Sequence, residues 1–324
     1  MRRIFVYEWA SGGGTPGTAP MPLLAEGLAM RDALLADLLA CHDLEVTVAT
    51  CDRVDEGPPC ERLARIAPGP GESAPAFVSR VAWGHDAAWV VAPETDGVLA
   101  ALHEAVGPRR WIGCDGTEIR RAGSKSATLG HLAARGIATP LAFAEGHAGR
   151  WIVKPDDGAG TLATRLHANR ATAQSDLDAR KAARRSATLE PYIEGEALSL
   201  SLLVGGPSVS RLQVLAFNRQ RLRVDPEGWL HDRGVEVAAL DARRDPRAQP
   251  LRALAQRVVD ALPGLRGFVG IDVVWNPRHG PVAIEVNPRV TAAYVGLSHI
   301  LGRNVAAECL HCGAAAPAQD GRAY

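Results

Sequence analysis

The sequence predicts an α/β domain at the start of the chain and an α+β half with antiparallel sheets after it. In the first part, short apolar segments alternate with stretches of helical spacing, which is typical of a parallel sheet covered by helices on both faces. In the second part, apolar segments follow one another through short turns, which indicates hairpins. The 324 residues are 47% hydrophobic and 22% charged, a length and a composition that suit about two globular domains.

Each element of the first part rests on its own pattern. Residues 4–7 form an apolar run and residues 44–48 alternate between apolar and polar, so both predict strands. Residues 22–40 begin with a proline and carry apolar side chains at helical spacing, which predicts a helix. Residues 52–75 are rich in proline and glycine and predict a loop. The part is completed by a strand at 88–92, a helix near 95–106 and a strand at 111–114.

The second part begins with a helix from Ser124 to about residue 135, for which Ser124 is a suitable N-cap. An apolar strand at 150–154 then runs into a loop at 155–161. The remaining elements are a charged helix at 171–185, strands near 187–192, 197–204 and 208–217, a helix at about 246–262, and strands at 267–275 and 281–286 around a turn at 276–280.

Charge and hydropathy exclude several classes of protein. Lys and Arg together number 36, and Asp and Glu together also number 36, so the formal charge is zero. Broad binding to nucleic acid or to an anionic membrane is therefore not expected. No stretch approaches the roughly 18 apolar residues of a membrane span, and Glu8 follows the basic start too soon for a signal peptide. We therefore expect a cytoplasmic protein with free thiols. A metal or redox role for the CxxC pair Cys309 and Cys312 is an alternative.

The last predicted hairpin carries a candidate metal site. Asp272 lies inside its first strand, and pairing through the turn brings Asp272 close to Glu285 on the second. Glu285 and Asn287 are two residues apart and therefore share a face, while Ile284 and Val286 are expected in the core. Two carboxylates and an amide oxygen on one surface suit Mg²⁺ or Mn²⁺.

Arg289 follows this group by two residues and lies on the same side if the chain stays extended. Buried carboxylates are costly without a partner. A structural ion pair of Arg289 with Asp272 or Glu285 is therefore the alternative to a metal site.

A lysine at the end of an apolar strand precedes a candidate phosphate loop. Lys154 ends the strand, and the loop behind it contains Gly158, Ala159, Gly160 and Thr161. Backbone N–H groups of such a loop can cradle phosphate oxygens, with the lysine adding charge. Asp156 and Asp157 fit a phosphate cradle only if they point away or meet a metal. The alternative is a solvent-exposed turn, and the chain contains no P-loop sequence.

Two further segments are candidates for nucleotide binding. The acidic turn within residues 190–199 offers backbone groups to an adenine edge and carboxylates to ribose hydroxyls. Residues 12–17 match GxGxxG directly after the first strand, which makes a dehydrogenase the competing hypothesis. A dinucleotide site requires that motif to open a helix, with an acid about twenty residues later at the end of a second strand. Pro16 interrupts the motif, and Asp37 lies inside the predicted helix.

Taken in order, these segments resemble an ATP-grasp ligase over about residues 115–312. The motifs are a helix-borne Lys125, Lys154 with its glycine loop, the run 190–195, Gly270-Ile271-Asp272, and the run 285–289. The start of the chain, at residues 7–14 and 26–30, resembles a narrower branch that includes the tyramine–glutamate ligases of methanofuran synthesis and relatives in methylotrophic bacteria.

The resemblance implies three units with the nucleotide between antiparallel sheets. These are an N-terminal α/β domain preceding the ATP-grasp fold at 1–115, a small subdomain with the lysines and the phosphate loop at 116–200, and a C-terminal subdomain with the metal site at 201–324. It further implies that Lys125 and Lys154 contact the ATP phosphates, that residues 158–161 close over them, and that Glu190 and the backbone of Ile193 meet adenine. The ribose would meet Glu194 or Glu196, two divalent cations would bind Asp272, Glu285 and Asn287, and Arg289 would stabilise the transferred phosphoryl group or the acyl intermediate.

Two positions depart from the family pattern. Many relatives carry the ribose acid where this chain has Ala197, so the choice between Glu194 and Glu196 stays open. Several ligases carry an arginine where this chain has Gly270, so an oxyanion would have to meet Arg289, Arg219 or Arg221 instead.

The implied activity is ATP-dependent joining of a carboxylate, L-glutamate in the narrower branch, to an amine such as tyramine or tyrosine. Glu8, Ser11, Gly12 and Gly13 are candidates for recognising the amine or the acid, and Arg219 for the carboxylate of the acid. Alternatives are a dipeptide or amino-acid ligase, a ligase that adds glutamate to a pterin-type cofactor, and a nucleotide-binding regulator without turnover. Small molecules are the expected partners; the residues leave the oligomeric state open, with a homodimer as one option.

Overall fold

The computed structural model describes residues 1–15, 17, 21–54, 60–158, 160–205 and 211–313. Ala159 of the predicted phosphate loop, Pro16 and the predicted start of a strand at 208–210 lie outside these residues. No helix in the described ranges is long and apolar enough to cross a membrane.

The N-terminal part forms a parallel sheet of five strands in the order β3-β2-β1-β4-β5. Its elements are β1 (Arg2–Glu8), α1 (Met21–Leu39), β2 (Leu44–Ala49), β3 (Leu63–Ile66), α2 (Ala74–Trp83), β4 (Ala87–Val91), α3 (Val98–Val106) and β5 (Trp111–Ile112). Side chains of β1 alternate between two cores: Ile4 and Val6 pack with α1, and Phe5 and Tyr7 pack with α2 and α3. The predicted parallel sheet with helices on both faces is confirmed.

The prediction of a continuous loop over residues 52–75 is wrong at Leu63–Ile66, which form β3. This strand has four residues, lies at the edge of the sheet and has no fully buried side chain. A short edge strand needs little apolar alternation, so its sequence carries almost no strand signal.

The second part contains two antiparallel sheets. The small sheet has the order β7-β6-β8 and is packed by α6, and the large sheet has the order β11-β10-β9-β12-β13. The elements are α4 (Gly116–Ala122), α5 (Lys125–Ala133), β6 (Trp151–Pro155), β7 (Arg165–His167), α6 (Arg170–Ala182), β8 (Ala187–Pro191), β9 (Glu196–Val204), β10 (Leu212–Val224), β11 (Leu230–Glu236), α7 (Ala248–Ala261), β12 (Gly267–Asn276), β13 (Gly280–Asn287), α8 (Leu297–Leu301) and α9 (Val305–Gly313). Strand β9 extends across residue 200, where the predicted boundary between the subdomains falls.

The two antiparallel sheets meet where β7 approaches the β10–β11 turn. Leu166 N donates to Gly228 O at 2.7 Å, and Leu230 N donates to Thr164 O at 3.0 Å. A Cβ at Gly228 would lie 2.4 Å from the Leu166 carbonyl oxygen, so this close approach requires glycine. The contact places the loop after β6 over one end of the large sheet.

The large sheet has one apolar and one mixed face. Leu198 and Leu200 of β9 pack in the same core as Leu251 and Val258 of α7. On the opposite face, α9 covers one end of the sheet, and polar side chains occupy the other. The side chains of Cys309 and Cys312 on α9 are buried in the apolar core beneath this helix, so packing accounts for the pair.

A β-bulge in the last hairpin decides which residues of β13 face the core. Asp272 is opposite Glu285 and Val273 is opposite Ala283, so Ile284 is the extra residue. Ala283 and Val286 are buried, whereas Ile284, predicted to lie in the core, is only half-buried. The bulge therefore lets Glu285 turn away from the core although Ala283, two residues before it, points inward.

Candidate active site

Asp272, Glu285 and Asn287 lie together on the polar face of the large sheet. Asp272 is directly opposite Glu285, and Asn287 Nδ2 donates to Asp272 Oδ2 at 3.4 Å. Within the described residues no group of three or more His, Cys, Asp or Glu side chains forms a metal site. A cation held here would therefore use the amide oxygen of Asn287 with the two carboxylates, and this all-oxygen set fits a hard divalent ion.

The charges of this group are only partly balanced. Burial, and then the neighbouring charge of Glu285, raises the pKa of Asp272 above its ordinary value. Lys125 Nζ lies 2.9 Å from Glu285 Oε1, and the two side chains are 4% and 12% exposed. One lysine facing two carboxylates leaves negative charge that a divalent cation would neutralise.

The start of α5 is tied to the predicted phosphate loop. Asp156 accepts hydrogen bonds from Ser124 Oγ at 2.7 Å and from Ser126 N at 2.8 Å, and Lys125 Nζ donates to the carbonyl of Gly158. Asp157 accepts from Asp96 N at 3.0 Å. Both loop acids are thus engaged with neighbouring elements, which is the condition under which the loop can serve as a phosphate cradle.

Thr161 ends this loop at the large sheet. Its Oγ1 accepts a hydrogen bond from Asp232 N of β11 at 3.1 Å. The loop therefore contacts the small sheet, α5 and β11, although Gly160 is exposed.

Lys154 and Glu190 form a buried ion pair on adjacent strands of the small sheet. Lys154 Nζ lies 3.0 Å from Glu190 Oε2, with 7% and 1% of the side chains exposed. The other carboxylate oxygen of Glu190, Oε1, is buried without a hydrogen-bond partner. Ile193 follows at the buried start of the connection to β9. A buried acceptor without a protein partner is available to a donor from an ordered water or from a ligand.

Glu194 and Glu196 have different surroundings. Glu194 is exposed and pairs with Arg150, whose guanidinium stacks on the ring of Tyr192. Glu196 pairs with Arg219 at 2.7 Å and also with Arg247. Residues 196 and 198 share the face of β9 that packs on α7, whereas Ser199, opposite Asp272, is on the other face.

Arg219 therefore lies with Glu196 on the face away from Asp272, and it also contacts Glu236 at 3.4 Å. Arg221 contacts the same Glu236 at 3.4 Å and is exposed. The structure does not bring either arginine to the carboxylate group of the candidate metal site.

Arg289 pairs with Glu94 and not with Asp272 or Glu285, so the predicted alternative ion pair is wrong. Its Nε and Nη2 donate to the two oxygens of Glu94 at 3.0 and 2.9 Å. Burial alone would lower the pKa of Arg289, but the charge and hydrogen bonds of Glu94, with the charges of Glu285 and Glu26, outweigh burial and raise it. Glu94 follows β4, and the carboxyl end of a parallel strand is where functional side chains gather, a signal that could have identified it.

Glu8, Ser11 and the glycines form a tight turn at the end of β1. Glu8 accepts from Ala10 N at 3.0 Å, Ser11 N at 2.8 Å and Ser11 Oγ at 2.7 Å. A Cβ at Gly12 would lie 2.7 Å from the Glu8 carbonyl oxygen, and Gly13 has φ +81°. The polar groups of Glu8 and Ser11 thus stabilise the turn itself.

The dinucleotide hypothesis for residues 12–17 does not fit this geometry. The first helix begins at Met21 and so is not opened by the motif. Asp37, the acid at the required spacing, accepts hydrogen bonds from Tyr294 Oη and Ser298 Oγ, both at 2.5 Å. This acid fastens the C-terminal segment to α1.

Gly270 has no room for the arginine that several ligases carry there. A Cβ at this position would lie 2.9 Å from Thr291 Cγ2 and 3.4 Å from Asn287 Cβ. A side chain here would have to displace Thr291 Cγ2 and would lie in contact with Asn287, so glycine keeps the space beside this candidate metal ligand open.

The architecture and the site define a nucleotide-dependent class of protein: a parallel α/β domain, then two antiparallel sheets with lysines, a glycine loop and paired carboxylates where they meet. The chain belongs to the ATP-grasp family. The ATP-grasp domain matches residues 122–293, and a pre ATP-grasp 3 domain matches residues 44–119.

Relatives with assigned activities are similar over most of this chain. It is 30% identical over 215 residues to a tyramine–L-glutamate ligase of Methanocaldococcus jannaschii. The aligned region covers 65% of this chain and 58% of that protein. The corresponding ligase of Methanocaldococcus fervens is 28% identical over 215 residues, covering 65% and 61%. The chain thus spans less than two thirds of the length of these relatives.

Solved structures show the same fold at low identity. An ATP-grasp superfamily protein from Archaeoglobus fulgidus superposes with a TM-score of 0.68 at 20% identity, covering 97% of this chain and 88% of that one. D-alanine–D-alanine ligase from Bacillus anthracis superposes with a TM-score of 0.66 at 15% identity, covering 97% of both chains. The predicted fold and family resemblance are confirmed.

Proposed function

We propose that this protein is an ATP-dependent carboxylate–amine ligase that joins L-glutamate to tyramine or a similar aromatic amine, with ADP and phosphate as products. The observation that carries the proposal is the contact of Lys125 with both Glu285 and the carbonyl of Gly158. Through this contact, Lys125 connects the carboxylates of the candidate metal site to the candidate phosphate loop, at the place where the two sheets meet. Similarity to tyramine–L-glutamate ligases supports the choice of substrates.

ATP would lie between the two antiparallel sheets. Lys125, Lys154, Gly158, Gly160 and Thr161 would face its phosphates. The unpaired Oε1 of Glu190 is an acceptor for the adenine amino group, and the backbone at Ile193 meets the same edge. Glu194 is the acid proposed for the ribose, because Glu196 lies with Arg219 and Arg247 on the face of the sheet away from Asp272.

Asp272, Glu285 and Asn287 would hold divalent cations, Mg²⁺ or Mn²⁺. When bound, such cations neutralise charge on the phosphates and on the transferring phosphoryl group. The placement of two carboxylates, Asp272 and Glu285, beside the single Lys125 is the structural reason to expect them.

The proposed reaction has two steps. A glutamate carboxylate oxygen attacks the γ-phosphorus of ATP, which gives an acyl phosphate and ADP. The amine then attacks the acyl carbon, phosphate leaves, and the amine loses a proton. The protein contributes position and charge: Lys154 and Arg289 face the anionic groups, and the loop residues 156–158, 160 and 161 exclude water from the acyl phosphate. The cytoplasm is the location that we expect for this ATP-consuming reaction.

The test is ADP release with ATP, Mg²⁺ or Mn²⁺ and L-glutamate, measured with and without tyramine or tyrosine, with products identified by mass. ADP release that requires both substrates, and a product of their summed mass less water, would support the proposal. Divalent-dependent ATP binding without turnover would keep the nucleotide site and reject these substrates, and other amino acids and pterin-type acceptors would then be tried. No ATP binding under any condition would overturn the proposal.

A further inference from the structure

Gln220, a residue that sequence patterns do not single out, contacts the candidate metal ligand Asp272. Its Nε2 donates to Asp272 Oδ1 at 2.9 Å, while Asp272 Oδ2 is the oxygen approached by Asn287. The two oxygens of Asp272 thus have different partners. Gln220 holds one of them from a different strand.

The strand order brings these two residues together across the middle of the sheet. Strand β9 lies between β10 and β12, so the outer two are about 9.5 Å apart. Ser199 of β9 is opposite both Asn218 of β10 and Asp272 of β12, and Gln220 is two residues beyond Asn218 on the same face. The middle strand presents only Ala197 and Ser199 here, which leaves space for the long glutamine side chain.

The backbone next to Gln220 is irregular. The register between β10 and β11 shifts between Gln220 and Leu222. Bulges of this kind raise the local twist and re-aim side chains near functional sites. The register shift therefore occurs at Gln220, whose side chain extends across β9 to contact Asp272 on β12.

We infer that Gln220 is a positioning residue that sets the orientation of Asp272 for a divalent cation, an inference that rests on the proposed function. An amide donor fixes the rotation of a carboxylate without neutralising it, so the charge of Asp272 stays available to the ion. A lysine or arginine at this position would instead compete with the cation. Hydrogen bonds from residues behind the ligands orient the carboxylates of metal sites in this way.

The test measures metal binding directly. Mn²⁺ is titrated into the full chain with a non-hydrolysable ATP analogue present, and the unbound ion is followed by electron paramagnetic resonance. Gln220→Met keeps the length of the side chain but removes the donor, and it should weaken Mn²⁺ binding about 10- to 100-fold. Binding of the analogue at saturating Mn²⁺ should stay at the wild-type level. The matched control is Gln256→Met, because Gln256 donates to Asp260 at 3.0 Å on the exposed side of α7.

Two further variants exclude a general structural effect. Gln220→Asn keeps an amide that is too short to reach Asp272 and should lose the same affinity; it also replaces Gln220→Met if that variant does not fold. In an Asp272→Asn background, Gln220→Met should cause no further loss, since the two residues act as one unit.

Each outcome has a defined meaning. Mn²⁺ affinity of a folded Gln220→Met variant equal to that of the Gln256→Met control would overturn the inference. Weaker binding of the analogue with unchanged Mn²⁺ affinity would do so as well, since Gln220 would then contact the nucleotide. If the wild-type chain binds neither Mn²⁺ nor the analogue, the proposed function itself fails. No carboxylate or amine substrate is needed for any of these measurements.

Discussion

Glu94 and Arg289 lie 195 residues apart in the chain and form a two-bond ion pair that is almost completely buried. Glu94 belongs to the parallel N-terminal domain and Arg289 follows the last strand of the large antiparallel sheet. The pair therefore connects the first domain to the end of the candidate metal site. A bidentate arginine–carboxylate contact fixes the plane of the guanidinium.

Glu94→Gln should lower both stability and turnover. The variant leaves the buried Arg289 charge without a carboxylate, and breaking such a pair costs about 3–5 kcal/mol. We expect urea unfolding to show a decrease of this size in the free energy of unfolding. For ADP release, kcat should fall and the KM for ATP should change little. Glu104→Gln is the control, since the ion pair of Glu104 with Arg120 is exposed and long, at 3.6 Å. Equal unfolding midpoints for the two variants would contradict the role of the pair.

Glu285→Gln should abolish ADP formation while the protein stays folded. The change removes a charge from the candidate cation site and also the partner of Lys125. ADP release and circular dichroism measure the two effects separately. Glu308→Gln, remote from this site and paired with Arg303 at 3.3 Å, should retain turnover. Wild-type turnover in Glu285→Gln would exclude the proposed metal site.

Lys154→Met should weaken ATP binding and destabilise the protein. Glu190 would become an unpaired buried carboxylate, which costs about 3–5 kcal/mol. Adding Glu190→Gln should recover most of the stability but not the ATP affinity, because the buried charge is gone while the phosphate contact is still missing. Titration calorimetry and urea unfolding separate the two properties. If the single variant binds ATP as the wild type does, Lys154 does not contact the phosphates.

Glu196→Gln should affect stability and not nucleotide binding. Burial alone would raise the pKa of Glu196, but hydrogen bonds from Arg219 and Arg247 outweigh it and lower the pKa below the ordinary value of 4.5. A lowered carboxyl pKa stabilises the fold above 4.5, and this contribution is lost as the pH falls through the folded-state pKa. The free energies of unfolding of wild type and variant should therefore differ by about 1 kcal/mol near neutral pH, and by less in acid. A weaker affinity for ATP would instead return Glu196 to the ribose site.

The fold class could be predicted because it depends on local patterns. Apolar strands alternating with helical spacing identified the parallel domain, and apolar pairs around short turns identified the hairpins. The pairing of Asp272 with Glu285 was also local, since a single turn separates their strands. Strand β3 was not predicted, because a short edge strand buries too few side chains to require an alternating apolar pattern.

Contacts between distant segments could not be predicted in the same way. The partner of Arg289 lies in another domain, and the contact of Gln220 with Asp272 crosses a strand between them. The bulge at Ile284 changes which residues of β13 face the core, although strict alternation would place Ile284 inward. Strand order and register set these relationships, and neither is written in the spacing of a single segment.

By itself, the sequence determined the two kinds of sheet, the order of the lysine, loop and carboxylate motifs, and the residue types available for the site. Tertiary structure alone decided which of those residues meet. It turned Glu196 and Arg219 to the face of the sheet opposite Asp272, gave Arg289 a partner in the N-terminal domain, and placed Gln220 beside a candidate metal ligand. The physical reason is that periodicity reports which side of an element is apolar, whereas a site depends on which elements pack together and in what register.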